Sequence, residues 1–131
     1  MRKLILFLLT AMLLVGCGQA NQNNQEAVYM NITAEEAKKI MDSEEGYIIL
    51  DVREQDEYDA GHIPGAILIP YTQIEEKANE MLPDKEQLIL VYCRSGRRSK
   101  IAAEALVELG YTNIKEFGGI IDWHYEVTKR T

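Results

Sequence analysis

Cys93 opens the run CRSGRRS over residues 93–99 of a 131-residue chain, and these residue types carry the most chemistry in it. A thiol reacts as its thiolate, so surroundings that stabilise negative charge turn an inert cysteine into a nucleophile. Arg94, Arg97, Arg98 and Lys100 place four cations between Cys93 and Ala103, with no acid among them. Ser95 and Ser99 offer hydroxyls as caps or loop hydrogen bonds, and Gly96 allows a tight turn. A short loop running onto a helix N-terminus aims successive backbone N–H groups at one point, where the helix dipole adds partial positive charge. Lowering a thiol pKa from about 8.5 to about 6.5 takes roughly 2.7 kcal/mol, of which a dipole supplies only about 0.3–1 kcal/mol. Converging amides and guanidinium charge must provide the rest. The pattern points to a cysteine nucleophile with a small anion bound by Arg94, Arg97 and Arg98, Arg98 lying nearest the backbone cradle.

The flanking segments have to hold that loop. LILVY at 88–92 is apolar and β-branched, a buried strand. The residues from about 97 to 109 are apolar at helical spacing, and Gly110 stops the helix. Upstream, Thr33 and Glu36 fit a capping box for a helix to about Asp42, and YIILDV at 47–52 is a strand. Glu54 to Tyr58 forms a helical turn, with Arg53 and Glu57 spaced i, i+4 as an ion pair. GHIPG at 61–65 is a loop, Ala66 to Ile69 a strand closed by Pro70, and Thr72 to Met81 a polar helix. A last strand is expected over 113–117, a turn at Gly118-Gly119, and a final helix over Ile120 to Val127. Strands alternating with helices make an α/β fold, a parallel sheet covered on both faces.

The first 16 residues stand apart. Arg2 and Lys3 precede an apolar run from Leu4 to Val15, too short for a bilayer span of roughly 18 to 20 residues. This reads as a secretory leader. LVGC at 14–17 resembles the lipobox of bacterial lipoproteins, which implies cleavage before Cys17, acylation of Cys17, and a lipid anchor on the extracytoplasmic face of a cell membrane. Residues 18–27 are polar and form a flexible tether, leaving one domain at 28–131. Removing the leader's two cations leaves 12 basic against 21 acidic residues, a formal charge of −9. That argues against nucleic acid as a partner and against charge-driven binding to anionic lipid. With Cys17 acylated a single thiol remains, so no disulfide framework is expected. Two histidines and one thiol make no persuasive metal site, no cofactor is called for, and a monomer is expected.

DVRE at 51–54, EY at 57–58, GHIPGA at 61–66, VYCRSGRRS at 91–99 and FGG at 117–119 followed by Trp123 together resemble a single-domain rhodanese. The resemblance covers essentially all of 28–131, in order. It implies a five-stranded, mostly parallel sheet flanked by helices, with the site at the C-terminal edge of the strands. It further implies transfer of a sulfane sulfur from a donor such as thiosulfate to a thiol or cyanide, through a persulfide on Cys93. In that setting Asp51 positions backbone beside the site, the Arg53–Glu57 pair braces the same corner, His62 belongs to a structural loop, and Trp123 with the GG turn packs the last helix on the sheet. His124 reads as a surface residue.

Three other readings compete. Cysteine phosphatases, including some of this same fold, use Cys-x5-Arg; here the sixth residue after Cys93 is Ser99 and the arginine comes one earlier, at Arg98, a loop one residue short for a phosphoryl group. A non-enzymatic sulfur carrier or partner-recruiting module needs only the fold and the thiol. A cysteine protease needs a histidine base within hydrogen-bond reach of the thiol, and nothing marks His62 or His124 for that.

Overall fold

The computed structural model describes residues 28–130. The leader expected over 1–16, Cys17 with its expected acylation, the tether at 18–27 and Thr131 lie outside the described residues. Along the chain run β1 (Met30–Asn31), α1 (Ala34–Ser43), β2 (Ile48–Asp51), α2 (Gln55–Ala60), β3 (Ile67–Leu68), a 3-10 turn (Tyr71–Gln73) leading into α3 (Ile74–Met81), β4 (Ile89–Cys93), α4 (Arg97–Glu108), β5 (Ile114–Gly119) and a second 3-10 turn (Ile120–Asp122). The five strands form one sheet in the order β1-β5-β4-β2-β3, every pairing parallel. A parallel sheet needs both faces covered, and its central strands therefore read as continuous apolar runs. All five residues of β4 are buried.

Two apolar layers sandwich the sheet. On one side Leu50, Val91, Cys93 and Ile114 meet Ala78 and Leu82 around α3 and Ala102, Ala103 and Leu106 of α4. On the other, Ile49, Leu90, Tyr92 and Phe117 meet Ala34 and Ala37 of α1, with Ile63 and Trp123. The Thr33 cap expected from the sequence forms, whereas the capping box at α2 was not assigned from it. Thr33 Oγ1 accepts from Glu36 N at 3.1 Å at the start of α1, and Glu54 and Glu57 form a reciprocal capping box that starts α2.

The short β1 completes the five strands that the family resemblance implies, although its two residues carry no period of their own. Gly118 and Gly119, expected as a turn, are the last two residues of β5, because they pair on beside Cys93. The helix expected over Ile120 to Val127 is only the 3-10 turn Ile120–Asp122. The chain beyond it spends its backbone groups elsewhere: His62 and Thr128 exchange two hydrogen bonds of 2.8 Å as an isolated antiparallel bridge, and Arg130 N donates to Asp59 O. Trp123 is buried against Phe117 and Tyr125, with Nε1–H donating to Glu126 O at 3.0 Å. It therefore anchors an irregular strap rather than a helix, because backbone pairing across the fold outbids a short helix that buries one side chain.

Candidate active site

Cys93 is the last residue of the central strand β4, and α4 begins four residues later. Between them Gly96 takes φ +109, a left-handed conformation that a side chain would strain, and so folds the loop back over the sulfur. Gly96 N–H donates to Cys93 Sγ at 3.0 Å, and the thiol lies 3.4 Å from Ser99 Oγ. Cys93 as a whole is 1% exposed. Burial pushes its pKa up, but the Ser99 hydroxyl and the amides of Ser99, Gly96 and Ser95 outweigh burial, and the net shift is downward. The cradle anticipated from the sequence is thus a set of hydrogen bonds aimed at the sulfur, with Arg98 adding Coulombic contact.

The loop rests on β5. Cys93 pairs with Gly119 rather than Gly118, because a bulge inserts one residue into β5 after Glu116. A Cβ on Gly119 would lie 2.5 Å from Ser95 N and closer still to the Arg94 carbonyl group. The GG pair therefore seats the cysteine loop; its expected role in packing a last helix is corrected. Ile121 N–H also holds Arg94 O, at 3.3 Å.

The cations divide into two kinds. Arg94, Arg97 and Lys100 are exposed, with the Arg97 guanidinium 5.9 Å from the Tyr71 ring centroid. Arg98 is half-buried and makes a bidentate pair with Glu57 of α2, at 2.7 and 2.9 Å. That pair holds the Glu57 carboxyl at about 2, far below its ordinary value, chiefly through the Arg98 hydrogen bonds. Arg98 is thus shared between Glu57 and the cradle and does not stand free beside the sulfur.

The expected Arg53–Glu57 ion pair is absent. Helix α2 starts at Gln55, so Arg53 precedes it and the i, i+4 spacing does not bring the two together. Arg53 instead grips Asp51 through Nε and Nη2 and donates to Gly61 O at 2.6 Å. Asp51, fully buried at the end of β2, also accepts from Arg53 N at 2.9 Å and from Tyr92 OH at 2.7 Å. Tyr92 OH accepts in turn from Ile63 N at 3.1 Å, tying β4 to the 61–65 loop. Asp51 thus sets the backbone at this corner. His62 stacks on Tyr58 with ring centroids 3.7 Å apart, and its Nδ1 lies 2.7 Å from Tyr58 O. His124 is exposed on the rim of a polar cavity.

Sequence reasoning missed Glu116. It is 2% exposed, and its Oε1 lies 2.6 Å from Ser99 Oγ and accepts from Gly118 N at 2.8 Å. The signal was present: alternation in a buried strand puts Glu116 in phase with Ile114, on the face that α4 covers. Among the described residues no group of three or more His, Cys, Asp or Glu could hold a metal ion.

A cysteine sulfur ringed by amides and a hydroxyl at the C-terminal edge of a parallel sheet can hold negative charge and attack an electrophilic atom. Ser99, where a Cys-x5-Arg enzyme has its anion-binding arginine, is a fully buried hydroxyl in the loop floor. Comparison with known proteins agrees with the geometry. The thiosulfate sulfurtransferase PspE of Escherichia coli is 41% identical over 73 residues, 56% of this chain and 70% of that protein. A Bacillus subtilis protein named "Putative sulfur carrier protein YrkF" is 38% identical over 107 residues, 81% of this chain; the match spans 56% of YrkF's length. A crystal structure of a rhodanese-related protein from Thermoplasma volcanium superposes with a TM-score of 0.68 at 32% identity, over 78% of this chain and all of that one. The family model described as a rhodanese-like domain matches residues 33–126, and the chain belongs to that family.

Proposed function

We propose that this domain transfers a sulfane sulfur from a small anionic donor such as thiosulfate to a thiol or cyanide acceptor, through a persulfide on Cys93. The thiolate attacks the outer sulfur of the donor. A bond forms between Sγ and that sulfur, the donor's S–S bond breaks, and sulfite leaves with the electron pair. The acceptor then attacks the outer sulfur of the persulfide, and Cys93 departs as a thiolate. Neither step is a net oxidation or reduction of the pair. The loop amides stabilise charge on the inner sulfur, Gly96 shapes the loop, and Ser95, Arg94, Arg97 and Arg98 bind the donor anion and its leaving group. The observation that carries this reading is the convergence of Gly96 N–H, at 3.0 Å, and Ser99 Oγ, at 3.4 Å, on a buried sulfur.

The name of the Bacillus subtilis relative favours a second reading, in which the domain stores sulfur on Cys93 for a partner instead of turning over by itself. One experiment separates them. Purified protein treated with thiosulfate is weighed and then offered cyanide or a thiol. A gain of one sulfur atom followed by catalytic turnover supports the enzyme, and a gain with no turnover to any acceptor supports the carrier. No gain, or most of the activity surviving in Cys93→Ser, refutes sulfur chemistry at this residue. The resemblance of LVGC over residues 14–17 to a lipobox supports a lipid anchor at Cys17 that holds the domain on the extracytoplasmic face of a membrane. Membrane fractionation of the wild type against Cys17→Ala tests the anchor.

A further inference from the structure

Ser99 Oγ is fully buried and carries one hydrogen, yet three oxygens surround it as acceptors, Glu116 Oε1 at 2.6 Å, Gly96 O at 2.9 Å and Gly118 O at 3.4 Å, while the Cys93 thiol donates to it at 3.4 Å and becomes a fourth acceptor as the thiolate. One hydrogen cannot serve a carboxylate and a thiolate together. If the hydroxyl turns to the sulfur, Ser99 and Glu116 oxygens 2.6 Å apart face each other lone pair to lone pair, unless the hydrogen between them belongs to the carboxyl group. Among the described residues Glu116 pairs with no cation within 4.0 Å, and its Oε1 also accepts from Gly118 N at 2.8 Å. The two contacts limit the distance from Glu116 Oε1 to Cys93 Sγ to about 6 Å, so two charges would repel across a buried site. Beyond the loop Glu116 lines a polar cavity of about 480 Å³, together with Thr33, Ser95 and Lys100.

We propose that Cys93, Ser99 and Glu116 form a proton relay, in which the thiol's proton reaches the Glu116 carboxylate and the cavity behind the loop. This rests on Cys93 being the nucleophile and adds the fate of its proton. In the thiol form S–H donates to Ser99 Oγ, and Ser99 donates to ionised Glu116. In the thiolate form the S–H bond has broken and a new O–H has formed on Ser99, whose former hydrogen now sits on Glu116 Oε1. The electron pair stays on sulfur and nothing is oxidised. Glu116 is a positioning residue that acts through Ser99. The groups facing the pair are Arg98 for Cys93 and Tyr29 for Glu116, with Lys100, Glu35, Asp122 and His124 around the cavity.

The test is the pH dependence of Cys93 alkylation by iodoacetamide in the full chain, read on the Cys93 peptide by mass spectrometry. The wild type should ionise in two steps, with a plateau of partial reactivity while one proton is shared. Glu116→Gln, whose amide donates to Ser99 but takes no proton, should ionise in one step below the wild type's upper step. Ser99→Ala should lose the plateau, alkylating about tenfold slower in that window. A one-step wild-type curve that superimposes on Glu116→Gln overturns the relay. If Glu116→Gln does not fold, the plateau surviving in Ser99→Ala overturns it instead. These curves are independent of sulfur transfer, whose failure would show separately as no mass gain from thiosulfate.

Discussion

Gly119→Ala isolates the seating of the cysteine loop from backbone conformation. Gly119 has φ −132 and ψ 158, extended values that alanine adopts freely, so the variant's cost is steric alone. The added Cβ would lie 2.5 Å from Ser95 N and closer to the Arg94 carbonyl, both backbone and unable to swing aside. Restoring a contact of about 3.5 Å moves the loop by at least about 1 Å. Overpacking of this kind costs about 1–3 kcal/mol, and at about 4–8 °C per kcal/mol for a domain near this size the melting temperature should fall by roughly 5–20 °C. The same shift withdraws the Gly96 N–H, now 3.0 Å from Sγ. A hydrogen bond to a charged group is worth about 1.5–3 kcal/mol, so the Cys93 thiol should titrate about 1–2 units higher. Thermal melts and iodoacetamide alkylation across pH measure the two effects. Gly61→Ala is the control, because Gly61 is also extended and nothing lies within 4 Å of its Cβ position. If Gly119→Ala melts and alkylates like the control, the loop does not depend on this contact and the account of the cradle is wrong.

Two further perturbations read the supporting network. Glu57→Gln should weaken the brace between α2 and α4 by roughly 1 kcal/mol after allowance for solvent screening. Because the folded-state value of Glu57 is depressed from 4.5 to about 2, its contribution is full above 4.5 and fades as pH falls toward about 2. Urea midpoints of the two proteins should therefore converge on acidification, and a gap that widened instead would contradict the assigned pair. Tyr92→Phe removes the hydroxyl that donates to Asp51 and accepts from Ile63 N, leaving a buried amide without its partner. The expected loss is about 1–3 kcal/mol by urea unfolding, with Cys93 alkylation unchanged, since neither contact touches the sulfur.

The candidate cysteine, the cations beside it, the strand before it and the helix after it were all legible along the chain, because each depends on residues adjacent in sequence. Turn chemistry, helical period and a buried apolar run are local properties, and they placed β4, α4 and the α/β alternation close to where the structure has them. What failed depended on partners far away in the chain. Arg53 takes Asp51 and leaves Glu57 to Arg98, 41 residues on, because α2 begins too late for the local spacing to apply. The last segment pairs with His62 instead of coiling on itself. Gly119 and Glu116 reach the cysteine loop only because parallel pairing lays β5 beside β4 and a bulge shifts the register by one residue. Sequence alone singled out the candidate thiol and the charges next to it in the chain. Only the tertiary structure decided which groups share that atom's hydrogen bonds, since a register and a packing contact are properties of two segments at once.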